Sequence, residues 1–157
     1  MTDILDTLHF FVPGKPRGQQ RPRFVRKLGI AYTPKDSVNA MAVVRQAFVT
    51  RYPNHSPWDV PIGLSVHAHF DVPKSKPKWW REAAWEIEQA YASKPDVDNI
   101  AKLVQDALTG VAWRDDALIS RVRVDKDYCW RRHTYVGIDV EIWTFPVLQK
   151  PKKLEKS

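Results

Sequence analysis

The sequence predicts an α+β fold: a small β-sheet with helices packed on one face. Three observations carry this. Residues 62–72 and 134–145 alternate apolar and polar side chains with the period of a strand that has one buried face. Residues 37–51 and 99–109 place apolar side chains at helical spacing. Elements in the order strand, helix, strand, helix, helix, strand, strand, with alternation on single faces, suit helices segregated to one side of a sheet. A chain of 157 residues has the size of one domain and can bury most of its apolar surface unaided. We take 1–150 as that domain and 151–157 as a basic tail expected to be disordered.

Taken in order, residues 7–12 (TLHFFV) form a short strand that Pro13-Gly14 ends. A basic loop, GKPRGQQRPRFVRKLG, follows. Pro34 stops any earlier helix, and Asp36 or Ser37 is expected to cap the helix over 37–51, with Val38, Met41, Val44 and Phe48 on its apolar side. Pro53, Pro57 and Pro61 mark a turn region. In 62–72, Ile62, Leu64, Val66, Ala68, Phe70 and Val72 point one way, and Ser65, His67, His69 and Asp71 the other. His67 and His69 share a face that would permit metal ligation, although polar residues of period two on a half-exposed strand are the ordinary outcome. Residues 73–82 (PKSKPKWWRE) read as a second basic loop leading into a helix over 80–91, with Trp79 and Trp80 placed either to stack on bases or to anchor that helix.

The central helix runs from Asn99, with Ile100, Leu103, Val104, Ala107 and Leu108 on one face and Gly110 at its end. Residues 117–127 alternate again, with Val122 and Val124 opposite Arg121, Arg123, Asp125 and Asp127. The last strand, 134–145, turns Val136, Ile138, Val140 and Ile142 inward and Asp139 and Glu141 outward.

Composition narrows the functional classes. A hydrophobic content of 43% with seven tryptophans argues for a packed core rather than disorder. The single cysteine, Cys129, excludes an intrachain disulfide and any zinc site built on several cysteines of one chain, and is expected to be a small semi-buried side chain. No basic leader or apolar stretch near the ~20 residues of a membrane span is present, so the expectation is a cytoplasmic protein with no membrane partner. The net charge of +7 favours an anionic partner. Between Pro13 and Lys35 lie seven basic residues and no acid: Lys15, Arg17, Arg21, Arg23, Arg26, Lys27 and Lys35. With Gln20, and with Lys74, Lys76 and Lys78 of the second loop, they make a candidate DNA-binding surface; a solvated loop is the plain alternative.

The stretch Lys94–Asp116, KPDVDNIAKLVQDALTGVAWRDD, carries the candidate chemistry. Asp96 and Asp98 stand just ahead of the central helix, and one N-cap side chain is enough, so capping does not explain both. Two carboxylates there and a third returning at Asp116 would make an oxygen cage for a hard dication such as Mg²⁺, the chemistry of metal-assisted phosphodiester cleavage. The six residues from Gly110 to Asp115 can cover about 20 Å if extended, enough to bring Asp116 back to the helix start; a partner chain is the other possible donor. Lys102, four residues after Asp98, is placed to contact the phosphate. The plainer reading keeps Asp98 as an N-cap, Lys102 as its i+4 partner and Asp115-Asp116 as a turn.

KPDVDNIAKLVQDALTG followed by WRDDALIS resembles the signature of the RusA family of Holliday-junction endonucleases, many of them encoded by phages. The shared frame is D-x-D-N, Lys four residues after the second Asp, D-A-L, then D-D before a strand. GKPRGQQRPRF and the YTP at 32–34 resemble members with the longer basic loop, and the likeness covers roughly residues 8–145. The resemblance implies a single small mixed β-sheet and a homodimer. It also implies paired symmetric nicks in four-way DNA junctions with Mg²⁺, or Mn²⁺ as substitute. The catalytic residues fall on Asp96, Asp98, Lys102 and Asp116, with the three acids as metal ligands. Trp143 and Phe145, on the outer face of the last strand, are candidate dimer contacts. A non-catalytic branched-DNA-binding protein and a general branched- or flap-DNA nuclease are the competing readings.

Overall fold

The structure, a computed structural model, describes residues 6–150; the expected tail at 151–157 lies outside them. Its main sheet has four strands, β1 (Thr7–Pro13), β4 (Ile62–Phe70), β5 (Ile119–Tyr128) and β6 (Gly137–Thr144), in the order β1-β6-β4-β5. The β1–β6 and β6–β4 pairs are antiparallel and β4–β5 is parallel, so the sheet is mixed. A parallel pair needs a crossover, and here it contains two helices, α2 (Lys78–Glu86) and α3 (Val97–Leu108). The remaining helix, α1 (Lys35–Arg51), packs beside α3 and against β1, while α3 lies against β5.

The alternation in β4 does what it predicts. Ile62, Leu64, Val66, Ala68 and Phe70 are at most 2% exposed and join the core under α1 and α3. On β6, Ile138, Val140 and Ile142 add to the same layer. The helical face of α3 is completely sequestered, with Ile100, Leu103, Val104, Ala107 and Leu108 all at 1% or less. Burying such a face is where most of a helix's stability in a protein arises. Gly110, with φ at +83°, ends that helical run as expected.

Several boundaries differ from expectation for physical reasons. The first basic loop contains a hairpin, β2 (Arg23–Val25) with β3 (Ile30–Tyr32), whose backbone pairing the Arg- and Pro-rich sequence masks. α1 begins at Lys35 behind Pro34 with no side-chain cap; Ser37 is instead buried, its Oγ accepting from the backbone N–H of Gln20 at 2.9 Å. α2 starts at Lys78, earlier than expected, and ends at Glu86. Trp80 anchors it edge-on to Tyr128, whereas Trp79 is exposed. Cys129 is buried, which pushes its thiol up to about 11.

Trp143 and Phe145 are not the open apolar pair expected. Phe145 is buried beneath the Arg121 guanidinium, and the Trp143 indole lies over Gly63 on the neighbouring strand. A Cβ at Gly63 would fall inside that ring. Gly63→Ala should therefore destabilise the protein by about 1–3 kcal/mol, read as a lower urea midpoint. Adding Trp143→Ala should cost less than the sum of the single substitutions, because removing the indole relieves the clash.

Candidate nuclease site at one rim of the sheet

The ends of the strands determine which loops meet. Pro13 pairs with Gly137 and Gly137 with His69, and Phe70 pairs with Tyr128. The ends of β1, β4 and β5 therefore share one rim with the start of β6. The basic loop leaves β1 at this rim, the Lys74–Lys78 connection leaves β4 there, and the turn before α3 is tied to the end of β5.

Lys126 of β5 makes that last tie. Its Nζ donates to the carbonyls of Ser93 (2.7 Å) and Pro95 (2.8 Å). The Tyr91 hydroxyl donates to the Lys94 carbonyl at 3.1 Å, and the Tyr91 ring stacks on Phe70 with centroids 3.8 Å apart. Charge-assisted bonds to the carbonyls on either side of Lys94 fix the backbone that presents Asp96 and Asp98. Lys126 was not legible as a site residue because its partners are main-chain oxygens, which leave no side-chain motif.

Asp96 is the N-cap residue of α3 and Asp98 lies in its first turn; the Asp96 side chain makes no capping bond. The helix thus starts two residues before the expected Asn99, which removes the reading of Asp98 as the cap. Both carboxylates sit where the helix dipole favours negative charge. Lys94 donates to Asp96 Oδ2 at 2.6 Å, and this bond holds the carboxyl below the ordinary range, with the charges of Lys94 and Lys126 acting the same way. Lys102 pairs with Asp106 (2.6 Å), one turn further on, and not with Asp98; both ends are partly exposed, so the pair contributes little to stability.

The basic loop is docked on this turn. The backbone N–H of Gln19 donates to the Asn99 carbonyl at 2.8 Å. Gly18 lies so close that a Cβ there would come within 2.8 Å of Pro95 Cβ and 3.0 Å of Asn99 Cβ. Between loop and turn is a cleft of about 460 Å³ lined by Lys15, Arg17, Arg21, Lys94, Pro95 and Asn99. Arg23 stands on β2, and Arg26 and Lys27 in the turn of that hairpin, all exposed. On the second connection, Lys76 lies over the Trp80 ring at 4.6 Å and Lys78 reaches Glu82 at 3.7 Å, while Lys74 is exposed.

Asp116 is placed elsewhere. It opens a 3₁₀ turn (Asp116–Leu118) at the start of β5, while Lys126 and the Asp96 turn lie near that strand's end. Lys126 is seven steps along the strand from Ile119, roughly 23 Å at about 3.3 Å per residue. Within one chain the three acids therefore do not converge. The cause is Trp113, which is fully buried and donates from Nε1 to Thr109 Oγ1 at 3.2 Å. Trp58 takes the Ala112 carbonyl (3.0 Å), its own carbonyl accepts from Arg114 (2.9 Å), and Gly110 donates to the Trp113 carbonyl (2.7 Å). These bonds fold 110–114 against the far end of α3 instead of letting it extend. Asp115 accepts from the Ala117 N–H at 2.8 Å and caps the short turn, which leaves the Asp116 carboxylate facing outward from an exposed residue. Return of Asp116 within the chain, one of the two routes the sequence permits, is not the course this fold takes.

Asp96 is depressed chiefly by its bond to Lys94, so its charge is complete above the ordinary carboxylate range and is lost only as pH falls below it. Lys94→Met should move the Asp96 titration upward toward that range, followed by carboxyl carbon NMR.

The family described as Endodeoxyribonuclease RusA matches residues 13–142. The uncharacterized protein YqaN of Bacillus subtilis (strain 168) is 30% identical over 129 residues, which cover 79% of this chain and 89% of YqaN. No helix among the described residues is long and apolar enough to cross a membrane. With the family match running through the basic loop, the D-x-D-N turn, α3 and β5, the chain belongs to the RusA endodeoxyribonuclease family.

Proposed function

We propose that this protein is a Mg²⁺-dependent, structure-selective endonuclease that resolves four-way DNA junctions by paired symmetric nicks, as a homodimer. The observation that carries the proposal is the docking of the basic loop on the carboxylate turn, through Gln19, Gly18 and Asn99. It sets a phosphate-binding surface beside two acids, the pairing that metal-assisted phosphodiester cleavage requires.

The donor set supports a hard dication. Asp96 and Asp98 offer carboxylate oxygens at a helix start, beside a cleft whose lining holds no thiolate or imidazole. Mg²⁺, or Mn²⁺ in its place, supplies Lewis-acid activation of the attacking water and offsets charge that develops on the phosphate. The chain's residues do the rest. Lys94 keeps Asp96 ionised. Lys15, Arg17, Gln20, Arg21, Arg23, Arg26 and Lys27 hold the backbone of the DNA arm, with Lys74, Lys76 and Lys78 on a neighbouring arm at the same rim. Lys102, released from Asp106 as phosphate arrives, contacts the scissile phosphate or the leaving oxygen as a point charge. Asp116 enters from the second copy. A two-fold dimer then carries two composite sites related as the two scissile strands of a junction are related.

A second reading has its own support. Lys94 and Lys102 already pair with Asp96 and Asp106, as they would in a non-catalytic branched-DNA-binding protein. Asp98→Asn separates the two on a labelled four-way junction. The endonuclease reading predicts at least about a hundredfold loss of Mg²⁺-dependent nicking with junction binding retained, since a neutral side chain repels phosphate less. Absence of nicking by the unaltered protein, with binding intact, would favour the binding protein. Comparable rates on flap and linear duplex would favour a general nuclease.

The composite site has a separate test. Asp98→Asn and Asp116→Asn homodimers should both be inactive. A heterodimer with one copy of each keeps one site in which Asp98 and Asp116 are both intact if Asp116 crosses over, and should nick a single strand. Sites formed within one chain would leave that heterodimer inactive.

A further inference from the structure

The face of the sheet opposite α1 and α3 carries a group of side chains that the nuclease chemistry does not use. His67 and His69 of β4, Asp139 of β6 and His9 of β1 project there, and His133 folds over them from the connection between β5 and β6. His69 was expected to be half-exposed; it is 3% exposed instead.

Three imidazoles address the single carboxylate of Asp139. His69 Nε2 is 3.0 Å and His133 Nε2 2.8 Å from Oδ2, and His9 Nε2 is 3.3 Å from Oδ1. The His69 and His133 rings are stacked, 9° from parallel, with centroids 3.3 Å apart. One carboxylate charge cannot pair three imidazolium ions, and two stacked imidazolium rings would repel. Burial first, then the neighbouring His67 and His133, lower His69 to about 4, so its ring is the neutral, ligand form at neutral pH. The Nδ1 atoms of His69 and His133 are buried without a hydrogen-bond partner among the described residues, so no protein contact there holds either ring in one tautomer.

We propose that His69, His133 and Asp139, with His9 as a fourth ligand, form a binding site for a borderline divalent transition ion of the Zn²⁺ class, distinct from the carboxylate site. One ligand atom from each of His69, His133 and Asp139 lies within 4.8 Å of the others. A tetrahedral ion with bonds of about 2.0–2.1 Å has ligand–ligand edges of about 3.3 Å. The 2.8 and 3.0 Å from His133 and His69 to Asp139 Oδ2 lie within about half an ångström of that edge. The stacked imidazoles would tilt to aim both Nε2 atoms at one ion, and His9, 3.3 Å from the other oxygen, would swing in as the fourth ligand. Two or three imidazoles with one carboxylate favour Zn²⁺ or Co²⁺ over Mg²⁺, whereas the all-oxygen turn at Asp96 and Asp98 has the opposite preference. The ion would replace the protons now shared between the imidazoles and Asp139. It would bind together β1, β4, β6 and the connection that carries His133, and so brace the rim from which the basic loop departs. His67 stays outside, paired with Asp127.

The test uses full-length protein without an affinity tag, Co²⁺ as the probe and excess Mg²⁺ to occupy oxygen sites. The proposal expects one equivalent of Co²⁺ with the visible absorption of tetrahedral coordination. Zn²⁺ should displace it and raise the unfolding midpoint by several degrees. His133→Ala should abolish the absorption, whereas Asp98→Asn and His67→Ala should keep it. His9 is 59% exposed, so His9→Ala should fold normally and weaken Co²⁺ binding at least tenfold; it decides the matter if His133→Ala does not fold. No tetrahedral absorption, or absorption unchanged in His9→Ala and His133→Ala, or lost in Asp98→Asn or His67→Ala, would overturn the proposal.

Discussion

Pro13, Phe70 and Tyr128 end β1, β4 and β5 at one rim of the sheet, and Gly137 begins β6 beside them. Backbone pairing between these strands is the constraint on which the site depends. It sends the basic loop, the Lys74–Lys78 connection and the end of β5 to the same place. The parallel pairing of β4 with β5 is the decisive part, because it forces α2 and α3 into the crossover. The turn that opens α3 is then delivered next to Lys126. An antiparallel β4–β5 hairpin would have put the Asp96 turn out of reach of that lysine.

The same pairing separates what the chemistry has to unite. β5 begins at the opposite rim, and Asp115 and Asp116 stay there with Trp113, whose buried indole draws the preceding loop back onto α3. Extending that loop would expose one of the largest side chains of the core, a loss of about 3–5 kcal/mol by comparison with other buried aromatics. A monomer is therefore complete as a fold and, on the proposed mechanism, incomplete as a catalyst. Coupling the metal site to association in this way would restrict cutting to the dimer, the only form able to nick a junction twice.

Much of this was legible in the sequence. Ile62 to Phe70 and Ile100 to Leu108 announce themselves because each has one face against the same core, so periodicity and burial coincide. The D-x-D-N frame is legible because a helix start has few other uses for two adjacent carboxylates. Other features left no readable trace. The β2–β3 hairpin is stabilised by backbone pairing in a stretch whose arginines and prolines suggest a loop. Ser37 has the composition of a cap yet holds the end of the basic loop. His133 lies in an irregular segment, and only the register of β4 against β6 brings Asp139 within its reach. Trp113 sits in the stretch that could extend by length alone, and its burial is what decides where Asp116 goes.

The central claim is that Asp96 and Asp98 of one subunit hold a divalent ion together with Asp116 of a second. Anomalous scattering from a crystal of the protein saturated with Mn²⁺ tests it most directly. The account predicts a peak bonded to oxygens of Asp96 and Asp98 from one subunit and to Asp116 of the partner subunit, at about 2.0–2.2 Å. Saturation without a peak at Asp96 and Asp98, with the Asp116 carboxylates of every neighbouring copy more than about 10 Å away, would contradict it.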